Sequence, residues 1–284
     1  MAVVVVSDSS ARLGDEAARR GIREVPLHVL VDGADLRDGV DDVPHDLHDR
    51  PKVTTAGAAP TELAEHYRRA LADSDGDGVV AVHLSAALSS TYSAAVTAAR
   101  EFGASVRVVN SRSAAMGTGF IAREAARCAA RGGDLDAVAE AARGARDRTR
   151  VFLVVHRLDN LRRSGRIGTA SSWLGTALSL KPLLKLDMDG RLVLDQRIRT
   201  VSKAHAALVD RVADIVATGP ADVVVHHVDN HDAADRLGAA LTQRLPQLSS
   251  LTVEDMGPVL SVHVGGGAVG VAVQVSEVSP RTGL

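Results

Sequence analysis

Aromatic residues are scarce in this chain. Its 284 residues include one tryptophan, two tyrosines and three phenylalanines, 2% in all. So few rings remove the stacking platforms on which single-stranded nucleic acid is held. The core must instead be built from Val, Leu and Ala. Cysteine is scarcer still: Cys128 is alone, which excludes a disulfide framework. It falls within a helical pattern and reads as a buried structural thiol. Positive charge is not in excess, since 33 Lys and Arg face 35 Asp and Glu for a net charge of −2. That balance argues against a polyanion partner, so no nucleic acid is expected. Long hydrophobic runs are missing too, and no stretch approaches membrane-span length. The apolar start, MAVVVVSDSS, is short and has no basic flank, so it reads as a strand rather than a signal peptide. The cytoplasm is the expected compartment.

What remains is ample core material, with 45% hydrophobic and 24% charged residues. The length predicts two domains. We place the boundary near residue 150, giving domains of residues 1–150 and 151–284.

The first domain is organised around Gly78 to Gly103. Val79 to Val82 suit a buried strand, and Thr91 to Phe102 show helical spacing. Between them Ser85 to Thr91 is crowded with small hydroxyls. A strand feeding a helix N-terminus points unpaired N–H groups at one spot, and the helix dipole favours negative charge there. This turn is therefore expected to hold a small anionic group, a carboxylate or a phosphate. Helix capping is the plainer use of Ser89, Ser90 and Thr91, although capping needs only one hydroxyl.

In chain order, Ala2 to Val6 predicts a central strand, and Ser7-Asp8-Ser9-Ser10 can cap a helix from Ala11 to Arg20. Glu24 to Val31 predicts a second strand with Pro26 near its start. Residues 32–58 are turn-rich, with a short helix expected after Asp42 and a hydroxyl-bearing loop at Val53 to Pro60. Thr61 to Ala72 predicts a helix, Ser105 to Val109 a strand, and the segment after Ser113 a helix through Arg131. Asp134 is expected to cap one more helix, to about Arg148. This alternation predicts a mainly parallel sheet covered on both faces, an α/β/α sandwich. Ligands of such sheets sit at the carboxyl ends of strands. The serine-rich turns after Val6, Leu84 and Val109 all fall at that edge and suggest one shared site.

The second domain predicts an α+β fold with a mixed sheet. Asp189-Gly190 signals a two-residue hairpin. Thr200 to Thr218 and His231 to Leu245 predict helices. Val223 to His226, Leu251 to Glu254, Val259 to Val264 and Val269 to Val275 predict strands. Thr169 to Leu180 predicts an apolar helix carrying Trp173, Leu174 and Leu178. By themselves Thr54 and Thr55 read as loop hydroxyls bonding their own backbone. His263, in an apolar strand, reads as a core histidine, and Arg162, Arg163 and Arg166 read as a solvated face.

Several motif matches fail on context. Gly265, Gly267 and Gly270 fit Gly-x-Gly-x-x-Gly, but a strand follows where a dinucleotide site needs a helix. His45 and His48, and the group His226, His227, Asp229 and His231, read as polar loop rather than metal ligands. No nucleophile elbow or phosphate loop occurs. No metal or cofactor is expected.

The ordered set of motifs resembles the DegV family, including the FakB-type fatty-acid-binding subunits of bacterial fatty acid kinase. The matching pieces are Ser7-Asp8-Ser9, Val25-Pro26-Leu27, Thr54-Thr55, Leu88 to Ala94, Ser164-Gly165-Arg166-Ile167-Gly168, Lys181 to Leu184, Arg197 to Thr200 and Gly257-Pro258 through His263. The resemblance spans nearly the whole chain. It implies a DegV-like fold binding a long-chain fatty acid between two domains. The carboxylate would meet Thr54, Thr55, Ser89, Ser90, Thr91 and His263. The acyl chain would run along Trp173, Leu174 and Leu178. It further implies a fatty acid kinase catalytic subunit as partner, docking at Arg197 and Arg199, with transient membrane contact compatible with such cargo. This chain departs from the family where Thr-Ala-Gly stands for Thr-Ser-Gln, Ser90 replaces glycine, and Gly265-Gly266-Gly267 replaces Gly-Pro-Gly. The rival reading is a Ser/His-dependent hydrolase or transferase of a small anionic substrate, with Ser89 as nucleophile and His263 as base. A third is a regulatory partner with a vestigial pocket.

Overall fold

The computed structural model describes residues 2–44, 46–47, 50, 52–167, 180–217 and 219–276. Valine-rich runs form the first sheet. Its strands are β1 (Val4–Asp8), β2 (Ile22–Val25), β6 (Val79–His83) and β7 (Val106–Asn110), in the order β2-β1-β6-β7 and all parallel. The central pair is apolar on both faces, as parallel strands between helix layers must be. Val5 and Val82 pack with α4 (Met116–Ala130) and α5 (Leu135–Asp147) on one face. Val6 and Ala81 pack with α2 (Pro60–Asp73) and α3 (Thr91–Ala99) on the other. Asp134 caps α5 as expected, its Oδ1 accepting the Ala137 N–H at 2.8 Å. Cys128 on α4 is half-buried rather than buried, packing at the margin of this core.

The run from Glu24 to Val31 is two strands, not one. Pro26 carries no N–H for the ladder, and the next amide, Leu27, donates to Ser9 Oγ at 3.1 Å. The chain therefore leaves the first sheet and starts a second with β3 (His28–Val31). That sheet has the order β4-β3-β5 and is antiparallel, with β4 (Ala34–Arg37) and β5 (Val53–Ala56). The expected loop at Thr54-Thr55 is thus a strand. The expected helix from Ala11 is displaced as well. Ser9–Ala11 form a 3-10 turn, and α1 (Asp15–Arg19) starts at Gly14 without a side-chain cap.

The third sheet is mixed, with the order β10-β9-β8-β13-β11-β12. Its strands are β8 (Thr149–Val154), β9 (Leu183–Leu186), β10 (Leu192–Gln196), β11 (Ala221–His227), β12 (Ser250–Asp255) and β13 (Val269–Val275). Only β11 and β12 run parallel. Helices α7 (Val201–Val216) and α8 (His231–Arg244) cover one face. The β9–β10 connection spans Asp187 to Arg191, longer than the two-residue hairpin expected, with Gly190 at φ +79°. Short α6 (Asp159–Arg163) follows β8. Val259 to Val264 is not a strand: α9 (Pro258–Val264) is a helix, opened by Gly257 and by proline in its first turn. Trp173, Leu174 and Leu178, like His45 and His48, lie outside the described residues.

Candidate functional site

Helix α9 brings the halves of the chain together. Val259 and Val262 sit in the core of the first half, beside Leu27, Val29 and Leu63. Val264, one residue past His263, joins Leu153, Leu158 and Leu161 of the second. Arg12 seats its start: a Cβ on Gly257 would lie 2.5 Å from the Arg12 Cζ. Asp38, almost fully buried, stands 3.7 Å from Arg12 Nη1. Burial raises the Asp38 carboxyl above its ordinary range, and Arg12 opposes that rise.

Held this way, α9 delivers His263 to β5. Its Nε2 and Thr55 Oγ1 share a hydrogen bond of 2.7 Å across a sequence gap of 208 residues. Period-two alternation then decides between the threonines: Thr55 is half-buried at the site, whereas Thr54 points the opposite way and is exposed. Thr54 is therefore not part of the constellation that the resemblance implied. Burial, together with the Arg166 charge, lowers the His263 pKa to about 4, so the imidazole is neutral near pH 7.

The β6–α3 turn supplies the facing wall. Its root is fixed by buried polar groups. Tyr67 Oη and His83 Nε2 are 2.8 Å apart, His83 Nδ1 and Asp8 Oδ2 3.0 Å, and the Leu84 N–H donates to that same Oδ2 at 3.0 Å. Burial pushes the Tyr67 phenol up. Further along, Ser89 Oγ accepts the Thr91 N–H at 3.2 Å and lies 2.9 Å from Thr91 Oγ1. Thr91 is fully buried beneath Ser89, against Gly57, where a Cβ would come within 2.5 Å of its Oγ1. Glycine at that position lets the β5–α2 connection close onto the turn. Ser90 is exposed and caps nothing with its side chain.

Arg166 completes the group. It is half-buried, and its Nε donates to the Leu88 carbonyl at 3.2 Å, joining the two halves at the turn. Desolvation lowers its pKa. The expectation of a solvated face fails here, because the carbonyl it bonds belongs to a distant segment. Spacing could not reveal that partner.

Thr55, Ser89, Ser90, Arg166 and His263 border a cavity of about 380 Å³. Its other walls are overwhelmingly apolar, with Leu84, Leu153, Leu161, Leu186, Met256 and Leu260 among them. Volume and lining are those of a small-molecule site. His226 enters the wall as a buried neutral imidazole, its pKa lowered to about 3 chiefly by desolvation, with Nε2 accepting the Met116 N–H at 3.2 Å.

The remaining hydroxyl turns do not converge on this cavity. Ser7 Oγ donates to the Val82 carbonyl at 2.9 Å, and Ser10 Oγ donates to Asp8 Oδ1 at 2.5 Å. Ser111 and Thr118 are paired at 3.1 Å. Those groups tie strands to their connections. The three serine-rich turns are therefore not one shared site; only the middle one brings its hydroxyls to the cavity. Arg197 and Arg199 are exposed beyond β10.

The DegV family model, described as "Uncharacterised protein, DegV family", matches residues 2–276. The chain belongs to the DegV family. A DegV domain-containing protein of Mycobacterium tuberculosis is 58% identical over 281 residues, covering 99% of this chain and all of the relative. A fatty-acid-binding DegV family protein of Thermus thermophilus superposes with a TM-score of 0.91 at 30% identity, over 97% of this chain and 100% of that one. The DegV fatty acid binding protein of Bacillus subtilis gives 0.86 at 25% identity, over 97% of this chain and 100% of that one. These likenesses bear out the two-part α/β and mixed-sheet architecture. Among the described residues of this DegV protein, no helix is long and apolar enough to cross a membrane.

Proposed function

We propose that this protein binds a long-chain fatty acid in the cavity between an N-terminal α/β domain, residues 1–150, and a C-terminal α+β domain, residues 151–284. The observation that carries the reading is the polarity of one cavity: largely apolar along its length, with the hydroxyls of Thr55, Ser89 and Ser90, the neutral His263 imidazole and the Arg166 guanidinium on its border. Thr55, Ser89 and His263 supply neutral donors to the carboxylate, and Arg166 supplies the countercharge. Thr91 positions Ser89 from beneath. Burying about 15 methylenes at ~0.8 kcal/mol each gives on the order of 12 kcal/mol gross, from which association and ordering remove a large part.

We propose further that the protein has no turnover of its own. It holds the acid for phosphorylation by a fatty acid kinase catalytic subunit, which docks against Arg197 and Arg199. The hydrolase reading has weaker support. His263 Nε2 is engaged with Thr55, not with Ser89. Among the described residues its buried Nδ1 has no hydrogen-bond partner, so none of them orients it as a general base.

Denaturing extraction of the purified protein, read by mass spectrometry, tests the binding. A co-purified long-chain acid is expected. Its absence, together with no thermal stabilisation by added fatty acids, would count against the reading. For docking, Arg199→Ala should leave lipid affinity unchanged and slow phosphorylation by the kinase; equal transfer rates would remove Arg199 from that face.

A further inference from the structure

Most glycines near the lobe interface have a steric reason to be glycine. Gly190 and Gly257 combine positive φ with neighbours that would overlap a Cβ at 2.2 and 2.5 Å, and at Gly57 the overlap alone is 2.5 Å. Gly270 has only a weaker one, a tight approach to a backbone carbonyl without overlap. It stands inside β13, its φ lies outside the left-handed region, and the nearest atom to an added Cβ is Phe152 O at 3.2 Å. Glycine in a strand interior weakens the strand and often marks close approach of a ligand. The next neighbours of that Cβ are Met256 Cε at 3.4 Å and Leu153 Cδ1 at 3.5 Å. Both side chains line the cavity, as does Gly270 itself. The missing side chain therefore leaves a notch in the cavity wall, bounded by Met256, Leu153 and the Phe152 carbonyl. Its ladder partners, Leu153 on β8 and His226 on β11, are cavity residues too.

The position along the slot follows from α9. Met256 precedes the helix and His263 lies near its end. A rise of ~1.5 Å per residue puts Pro258 about 7.5 Å from His263 along the helix, and Met256 lies two residues before that start. Gly270, against Met256, is thus remote from the carboxylate-holding group. Resting on the fatty-acid reading above, we propose that Gly270 is the depth gauge of the slot. The notch it leaves admits the distal part of the acyl chain, and residue size at 270 sets the longest chain accepted. Met256 forms the adjoining wall, and its truncation lengthens the slot.

The test is displacement of a fluorescent fatty acid from the full-length protein by lauric, myristic, palmitic and stearic acid. Gly270→Val suits a strand. It should weaken stearic and palmitic acid by about tenfold or more while holding lauric acid within about threefold. Met256→Ala should move the preference the other way, toward stearic acid. A thermal melt accompanies each variant. Should the valine variant not fold, Gly270→Ala carries the same test with a length-dependent loss of about threefold. Uniform weakening of all four acids, or no change in any, would overturn the assignment. If the wild-type protein itself is displaced by none of them, the fatty-acid reading fails, and this inference with it. That result differs visibly from a wild type that binds while its variants weaken all four acids alike or not at all.

Discussion

The two ends of the cavity are built by opposite means. At the mouth, Thr55, Ser89, Arg166 and His263 come from segments far apart in sequence, and directional bonds hold each in place. At the far wall, Leu153 and Gly270 are paired on the central strands β8 and β13, Met256 packs against them, and all three offer only shape. The contrast teaches that grip and orientation are separable. A hydrogen bond nets ~0.5–1.5 kcal/mol after desolvation. Each buried methylene contributes ~0.8 kcal/mol and has no preferred direction. The apolar end should dominate affinity, while the mouth should decide which way the ligand lies.

Shortening the ligand breaks this comparison most severely. Replacing palmitic by capric acid removes about six methylenes, a gross loss of ~5 kcal/mol. Calorimetry should find capric acid weaker by at least about a hundredfold; comparable affinities would place the grip at the mouth instead. Next comes Arg166→Ala, which removes a charged donor and should cost the acid about 10–100-fold. A fatty alcohol of equal length should be barely affected, and equal losses for acid and alcohol would show that Arg166 only packs the wall. Ser89→Ala should be milder, about 3–10-fold with the melting temperature retained. Wild-type affinity would remove Ser89 from the head group.

The smallest effect is on pH dependence. Folded His263 takes its proton at about 4, whereas an unfolded imidazole does so near ~6.5. Between those values the unfolded chain binds more protons. Stability from this group is therefore complete above about 6.5 and declines as pH falls toward about 4. His226 acts in the same direction, down to about 3. Glu24 acts oppositely, since burial lifts its carboxyl to about 7 and the folded chain retains a proton the unfolded chain has lost. His263→Asn should shrink the drop in melting temperature between neutral and mildly acidic buffer by about 1–3 °C. An unchanged drop would mean that His263 titrates like a free imidazole.

Much of the architecture was legible because its signals are local. Val79 to Val82 and Val4 to Val6 announce buried parallel strands, and Asp134 announces α5. The break at Pro26 is not legible locally, because the partner of the freed Leu27 amide, Ser9 Oγ, lies 18 residues upstream. Reading Val259 to Val264 as a strand followed from its β-branched residues. Packing between two cores overrides that preference, and Gly257-Pro258 is the start signal that could have revealed a helix. At the site, Thr55, Ser89 and His263 came from resemblance, and their placement makes sense of it. Thr54 was an error of strand parity. Arg166 and Gly270 were invisible in the sequence because their meaning depends on what lies across the cavity.

Strand β13 enters between β8 and β11, and α9 just before it carries the imidazole. Both follow every other described element in the order of synthesis. A ribosome must extrude the chain past Val275 before the third sheet can close at its centre. Up to that moment the nascent protein has neither a finished floor nor a complete mouth. On the fatty-acid reading, uptake must await these two elements: a chain stopped before Pro258 lacks the middle of a sheet and the helix that latches both halves.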